Sequence, residues 1–182
     1  MKPFLAVSAI GRDRPGIVAG LTRVLFEHGG NLEDSSMTRL KGDFAVLLLV
    51  ALREGTDSGP VSAALEAEAR TLGLTLQVRL LAPEEVRNAG ASAGHPYTLV
   101  LYGADKPGLV HRVAEAAARN RLNITDLRSQ FTGTDKNPVY SLVLELDAPD
   151  DASASRFTGD LKDLKNELRV DFTFGPADAD DM

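Results

Sequence analysis

The chain contains no cysteine among its 182 residues. This absence excludes disulfide bonds, thiolate nucleophiles and cysteine-ligated metal or iron–sulfur sites, and it is typical of a reducing compartment. The sequence also lacks an apolar run of the roughly 20 residues that a membrane-spanning helix needs. Its first residues, Met1-Lys2-Pro3-Phe4, show no signal-peptide core. We therefore expect a cytoplasmic protein that makes no contact with membranes.

Positive charge and aromatic side chains are scarce as well. The chain has 20 Lys and Arg against 26 Asp and Glu, a formal net charge of −6, and only 5% aromatic residues. Nucleic-acid binding depends on a positive field and, for single strands, on aromatic side chains that stack with bases. We therefore expect no direct binding of nucleic acid. Because His28, His95 and His111 lack the spacing of metal ligands, we expect no bound metal. We expect no other cofactor.

What the sequence does contain is an internal repeat at an offset of 92 residues. GRDRPGIV at 11–18 matches GADKPGLV at 103–110, and the same offset carries Asn31 onto Asn123 and Asp34 onto Asp126. Seven of the 24 positions from 11 to 34 are identical to their counterparts. Chance would rarely preserve both motifs at one spacing, so the pattern indicates a duplicated domain.

Hydrophobic periodicity predicts the same order of elements, βαββαβ, in both halves. In the first half, an apolar strand leads to a helix whose first turn contains Pro15 and which ends at Gly29-Gly30. The next two strands are joined by a predicted tight turn at Gly42-Asp43. This order is the ferredoxin-like pattern, an antiparallel sheet with both helices on one face. The predicted fold class is α+β, with two tandem copies of this domain.

The repeat also defines the predicted domain boundaries. We expect domains at residues 1–82 and 96–175, joined by a linker at 83–95 that contains the run Gly90-Ala-Ser-Ala-Gly94. Residues 176–182 form an acidic segment that we expect to be a disordered tail.

The turn before the first helix of each repeat is the candidate binding site. Gly16 and Gly108 allow a ligand to approach the backbone closely, and the first N–H groups of a helix have no intrahelical partner. These N–H groups and the helix dipole favour a carboxylate. Asn31 and Asp34, which open the next strand, can hold an ammonium group. Together these residues match the two ends of a zwitterionic amino acid.

A purely structural explanation of the same residues stays open. Asp13 and Asp105 are suited to capping their helices, and Asn31 is suited to ending one. The occurrence of the whole set twice, at one offset, favours a binding site over this alternative.

The stretch from Gly11 to Ser35 resembles an ACT domain, and two such domains in one chain resemble the glycine cleavage system transcriptional repressor group. The resemblance covers about residues 4–82 and 97–175. It implies an amino-acid ligand, with glycine or serine as the first guesses, bound where two ACT domains face each other. The ligand-binding residues that it implies are Asp13, Arg14, Gly16, Ile17, Asn31 and Asp34 in the first domain and Asp105, Lys106, Gly108, Leu109, Asn123 and Asp126 in the second.

The resemblance further implies a regulatory protein without catalytic activity. Its partner would be a protein such as a DNA-binding transcription factor, and its sheets would pair side by side in a homo-oligomer. An alternative is a regulatory subunit of a metabolic enzyme or transporter. A catalytic alternative is suggested by the similar ACT segment of formyltetrahydrofolate deformylase, but the two repeats occupy nearly all of the 182 residues.

Overall fold

A computed structural model describes residues 2–89, 94–104, 106–134 and 137–177. Its contacts divide the chain into two units, Met1–Ala91 and Ser92–Met182. The first unit contains β1 (Phe4–Arg12), α1 (Ile17–Glu27), β2 (Asn31–Leu40), β3 (Asp43–Ala51), α2 (Ser58–Leu72), β4 (Leu74–Leu81) and α3 (Pro83–Ala89). The second contains β5 (His95–Gly103), α4 (Leu109–Arg119), β6 (Asn123–Thr134), β7 (Asn137–Ala148), α5 (Asp151–Leu168) and β8 (Val170–Pro176).

Each unit is built on a four-stranded sheet in which every adjacent pair of strands is antiparallel. The strand order is β2-β3-β1-β4 in the first sheet and β6-β7-β5-β8 in the second. The first and third strands pair in the centre, and the second and fourth strands lie at the edges. This arrangement confirms the prediction of two ferredoxin-like α+β domains.

The core of the first unit lies between the helices and one face of the sheet. Strand residues alternate between the two faces, so that Leu5, Val7 and Ala9 of β1 are buried against the helices. The helices contribute apolar residues at intervals of three and four, the spacing of one helix face. The buried helix residues are Ile17, Leu21, Val24 and Leu25 of α1 and Val61, Leu65 and Ala69 of α2.

The second unit has a separate core with a more aromatic centre. Phe157 of α5 has no exposed surface, and its ring meets the edge of Phe174 at a centroid distance of 5.1 Å. Phe174 in turn stacks on Tyr97 at 4.9 Å. Such aromatic pairs stabilise a core beyond the area that they bury.

The helices begin in two different ways. Asp57 caps α2 by accepting the N–H of Gly59 at 2.9 Å, and Asp150 caps α5 by accepting the N–H of Ser153 at 2.6 Å. The bond from Ser153 is the main reason that the pKa of Asp150 lies below its ordinary value. By contrast, α1 begins after Gly16 and has no side-chain cap. The alternative in which Asp13 caps this helix is therefore wrong for the first unit.

Two local predictions differ from the structure. The tight turn of the first hairpin consists of Lys41 and Gly42 rather than Gly42 and Asp43, and Asp43 already pairs with Leu40 in the sheet. Both turn residues have positive φ, 48° and 91°, as a two-residue turn that matches the strand twist requires. Pro15 lies in the turn before α1, so the helix begins at Ile17.

Candidate ligand-binding site

The turn between β1 and α1 presents open backbone N–H groups. Gly16 has a φ of +96°, which side-chain-bearing residues adopt only with strain, and a Cβ added there would meet nothing within 4 Å. The N–H of Gly20 donates to the Gly16 carbonyl at 2.8 Å, which is the first bond of the helix. The N–H groups of the residues between them therefore have no acceptor within the helix. This end of the helix can receive a carboxylate.

The neighbouring side chains hold this turn in place. Asp13 Oδ2 lies 2.8 Å from Arg39 Nε, and the Asp13 N–H donates to the Gly42 carbonyl at 3.0 Å. Both contacts fix the turn against the hairpin of β2 and β3. Arg14 donates through Nη2 to the carbonyl of Thr71, at the end of α2, at 3.0 Å. Asp13 and Arg14 therefore already have partners within the fold.

Ile17, the fourth predicted site residue in this region, has a side chain that faces the core. It is only 2% exposed and packs within the first hydrophobic cluster. A ligand at the turn could reach its backbone N–H group but not its side chain.

Asn31 and Asp34 lie at the opposite end of the sheet from the turn. Asn31 pairs with Ala51, which pairs with Phe4 at the start of β1. The turn follows the other end of β1. There Arg12 pairs with Asp43 of β3, which pairs with Leu40 at the end of β2. Ten residues of strand span about 30 Å. One unit therefore does not bring the two halves of the predicted site together.

The start of β2 carries a small polar cluster around Glu33. The Glu33 carboxylate accepts bonds from Lys2 Nζ at 3.0 Å and from Asn31 Nδ2 at 3.3 Å. These bonds, the one from Lys2 foremost, lower the pKa of Glu33. The strand has a bulge here, between Leu32 and Asp34, and Asp34 Oδ1 accepts the N–H of Ser35 at 2.7 Å. Both carboxylates are acceptors that an ammonium group could use.

The second unit repeats the backbone geometry with different contacts. Gly108 precedes α4 with a φ of +87°, Leu109 is buried, and the Leu109 N–H donates to the Lys106 carbonyl at 3.2 Å. Asn123 again opens the edge strand, and Asp126 forms an ion pair with Arg128 at 2.9 Å. Asp105, the remaining predicted residue, lies outside the described residues.

Arg39, which is not among the predicted site residues, links β2 to the β1–α1 turn through Asp13. It shares a face of β2 with Ser35 and Met37, and all ten residues of this edge strand are exposed. Strand alternation from Asn31 onward could have placed Arg39 on that face, but nothing in the sequence identified its partner.

The described ranges hold no group of three or more residues that could bind a metal ion. His28 is accounted for structurally, since its Nδ1 lies 2.8 Å from the Val24 carbonyl oxygen at the end of α1. Among the helices within those ranges, none is long and apolar enough to span a membrane.

Comparison with known proteins gives one family and several relatives. Residues 3–79 match the ACT domain family. A UPF0237 protein of Methanopyrus kandleri is 45% identical over 74 residues, 40% of this chain and 82% of the relative. The glycine cleavage system transcriptional repressor of Escherichia coli is 24% identical over 169 residues, 92% of this chain and 86% of the repressor. The crystal structure of an unknown protein from Galdieria sulphuraria, 24% identical, has a TM-score of 0.84 over 98% of this chain and 100% of that one, which supports the fold.

Proposed function

Because the chain belongs to the ACT domain family, we propose that it is a regulatory protein that binds a small amino acid in a site shared by two copies of its first unit. The observation that carries this proposal is the start of α1, which directly follows the positive-φ residue Gly16 and has no side-chain cap. The N–H groups there suit the ligand carboxylate. The polar cluster at the start of β2 suits its ammonium group.

Pairing of two β2 edges would assemble these halves. β2 lies at the edge of its sheet and is exposed along its whole length, so its outer N–H and C=O groups face solvent. If two copies pair antiparallel through this edge, Asn31 of one copy lies beside Leu40 of the other. Leu40 is at the hairpin that contacts the turn through Asp13. The carboxylate site of one copy then meets the ammonium site of the other.

The regulatory output is transcription, through a protein partner. The similarity to the Escherichia coli repressor extends over both units and supports this role. The net charge of −6 disfavours direct contact with DNA, so the partner would be a DNA-binding transcription factor. Capture of an enzyme or a transporter by the full chain would instead favour a regulatory subunit of a metabolic protein.

Calorimetric titration of the full chain with each of the twenty amino acids tests the proposal. We expect saturable binding of one small amino acid, glycine or serine first, because the open space at Gly16 gives access to the backbone. Absence of binding for all twenty would contradict the amino-acid site and leave the fold unaffected.

A further inference from the structure

We propose that the first unit associates with a second copy of the chain through its outer face, which is the face of its sheet turned away from α1 and α2. This contact uses the flat of the sheet, whereas the proposed ligand site uses the β2 edge. Asp34 belongs to both surfaces, but Leu47→Glu and amino-acid titration test the two proposals separately, because Leu47 lies outside the proposed ligand site.

The outer face is open and largely apolar at its centre. Leu47 and Ile10 are 62% and 55% exposed there. A groove of about 490 Å³ runs across the face and adjoins a second groove of about 480 Å³. Strand pairing places the residues of the face in three rows, each running from β2 through β3 and β1 to β4. The rows are Asp34–Leu49–Ala6–Arg79, Ser36–Leu47–Ser8–Gln77 and Thr38–Ala45–Ile10–Thr75.

Each row pairs one large side chain with one small side chain on the two central strands. Leu49 lies beside Ala6, and Leu47 lies beside Ser8. In the third row the order is reversed, since the large residue Ile10 is on β1 and the small residue Ala45 is on β3. The surface therefore alternates between projections and depressions from one central strand to the other.

This alternation fits a second copy of the same face. The two copies are related by a two-fold axis that runs parallel to the strands, midway between the two stacked sheets and above the boundary between β1 and β3. This axis places β3 of one copy over β1 of the other in the same row. Leu49 then faces Ala6, Leu47 faces Ser8, and Ile10 faces Ala45. Two sheets that pack face to face lie about 10 Å apart, so projections must fill depressions. A two-fold contact of this kind uses one patch on both copies.

The charged rims of the face agree with the same axis. The rotation places β2 of one copy over β4 of the other, so that Asp34 faces Arg79 on both sides of the contact. Arg79 Nη1 already contacts Glu85 at 2.9 Å. A guanidinium has five N–H donors, so Arg79 retains donors for a second carboxylate.

The corresponding face of the second unit lacks this complementarity. Its central pair Val100 and Val143 consists of two side chains of equal size. Asp126 and Glu145 share one row, which ends at Gly175 on the opposite edge and offers no cation to face them. The proposal is therefore confined to the first unit.

Light scattering of the full chain during gel filtration tests the contact. We expect Leu47→Glu to halve the particle mass, because a carboxylate would replace the central projection in a dry contact. Leu80→Glu is the matched control. Leu80 is 57% exposed on the same sheet but aligns with Leu5 on the helix side, so this variant should keep the wild-type mass. A monomeric wild type, or equal masses for Leu47→Glu and wild type, would overturn the proposal.

Cross-linking tests the orientation of the axis and does not disturb the centre of the contact. The chain has no cysteine, so Ser36→Cys and Gln77→Cys each introduce a single thiol. The axis places Ser36 over Gln77 of the other copy, whereas like residues lie at opposite edges, about 14 Å apart along the sheet. A short bismaleimide should therefore join a Ser36→Cys chain to a Gln77→Cys chain in the mixture but should not link Gln77→Cys alone. Ser36→Cys alone is no control, because antiparallel pairing of two β2 edges would also bring its thiols together. Linkage in the Gln77→Cys sample alone, at the level of the mixture, would contradict the axis.

Discussion

Replacement of Phe157 by alanine is expected to destabilise the second unit by about 3–5 kcal/mol, the usual cost of removing a fully buried phenylalanine. The ring has no exposed surface, and it meets Phe174, which stacks on Tyr97. Its removal would leave a cavity at the point where α5 packs on the sheet, and it would also remove the aromatic contact. A loss of this size is a large fraction of the stability of a small domain.

Tyrosine emission measures this effect in one unit only. The chain has no tryptophan, and its three tyrosines, Tyr97, Tyr102 and Tyr140, all lie in the second unit. Urea unfolding of Phe157→Ala should shift the tyrosine transition to lower urea. Leu65→Ala, which empties an equally buried position of the first core, is the control. It should shift part of the circular-dichroism transition and leave the tyrosine midpoint unchanged. A common shift of both probes in both variants would contradict two separately packed cores.

The second large effect concerns ligand binding at Gly16. Gly16→Val places a branched side chain in the open space beside the first N–H groups of α1, where no atom now lies within 4 Å of the added Cβ. The ligand carboxylate would lose charge-assisted hydrogen bonds worth about 1.5–3 kcal/mol. We expect calorimetry to show an affinity lower by about 10- to 100-fold.

Gly55→Val is the matched control for this variant. Gly55 also has a positive φ, +78°, with nothing within 4 Å of an added Cβ, but it lies between β3 and α2. Both variants therefore carry a comparable backbone strain of about 1–2 kcal/mol. All proteins compared in this experiment also carry Gly108→Val, so that calorimetry reports binding at the first-unit site only. Equal affinity of the Gly16→Val and Gly55→Val variants for the amino acid would show that the β1–α1 turn is not part of the binding site.

The sequence was sufficient to predict the duplication and the order of elements, for identifiable physical reasons. The shared Gly11 and Gly103 are required by close strand packing. An added Cβ would lie 2.8 Å from Leu74 at the first glycine and 2.8 Å from Val170 at the second. Alternating apolar residues marked the half-buried strands, and this signal is local.

The assembly of the site could not be predicted in the same way, because it depends on where the ends of strands lie in space. Asn31 follows α1 closely in sequence, yet the helix returns the chain to the far end of the sheet. The rows of the outer face could not be predicted from the sequence either, because Leu47 and Ser8 become neighbours only through the register of β1 and β3. The Asp13–Arg39 pair depends on the same long-range geometry.

A site shared between copies is tested most directly by combining two chains whose binding is weakened in different ways. One chain carries Gly16→Val and the other carries Asn31→Ala, both with Gly108→Val, and each alone should bind the amino acid with reduced affinity. Co-expression with two different tags and purification through both tags isolates the mixed particle. In a shared site, the intact Gly16 of one chain meets the intact Asn31 of the other, so we predict that the unweakened affinity returns at one site per mixed pair. A mixed particle that binds only as weakly as the single variants would contradict the shared site, since sites within single chains would all remain impaired.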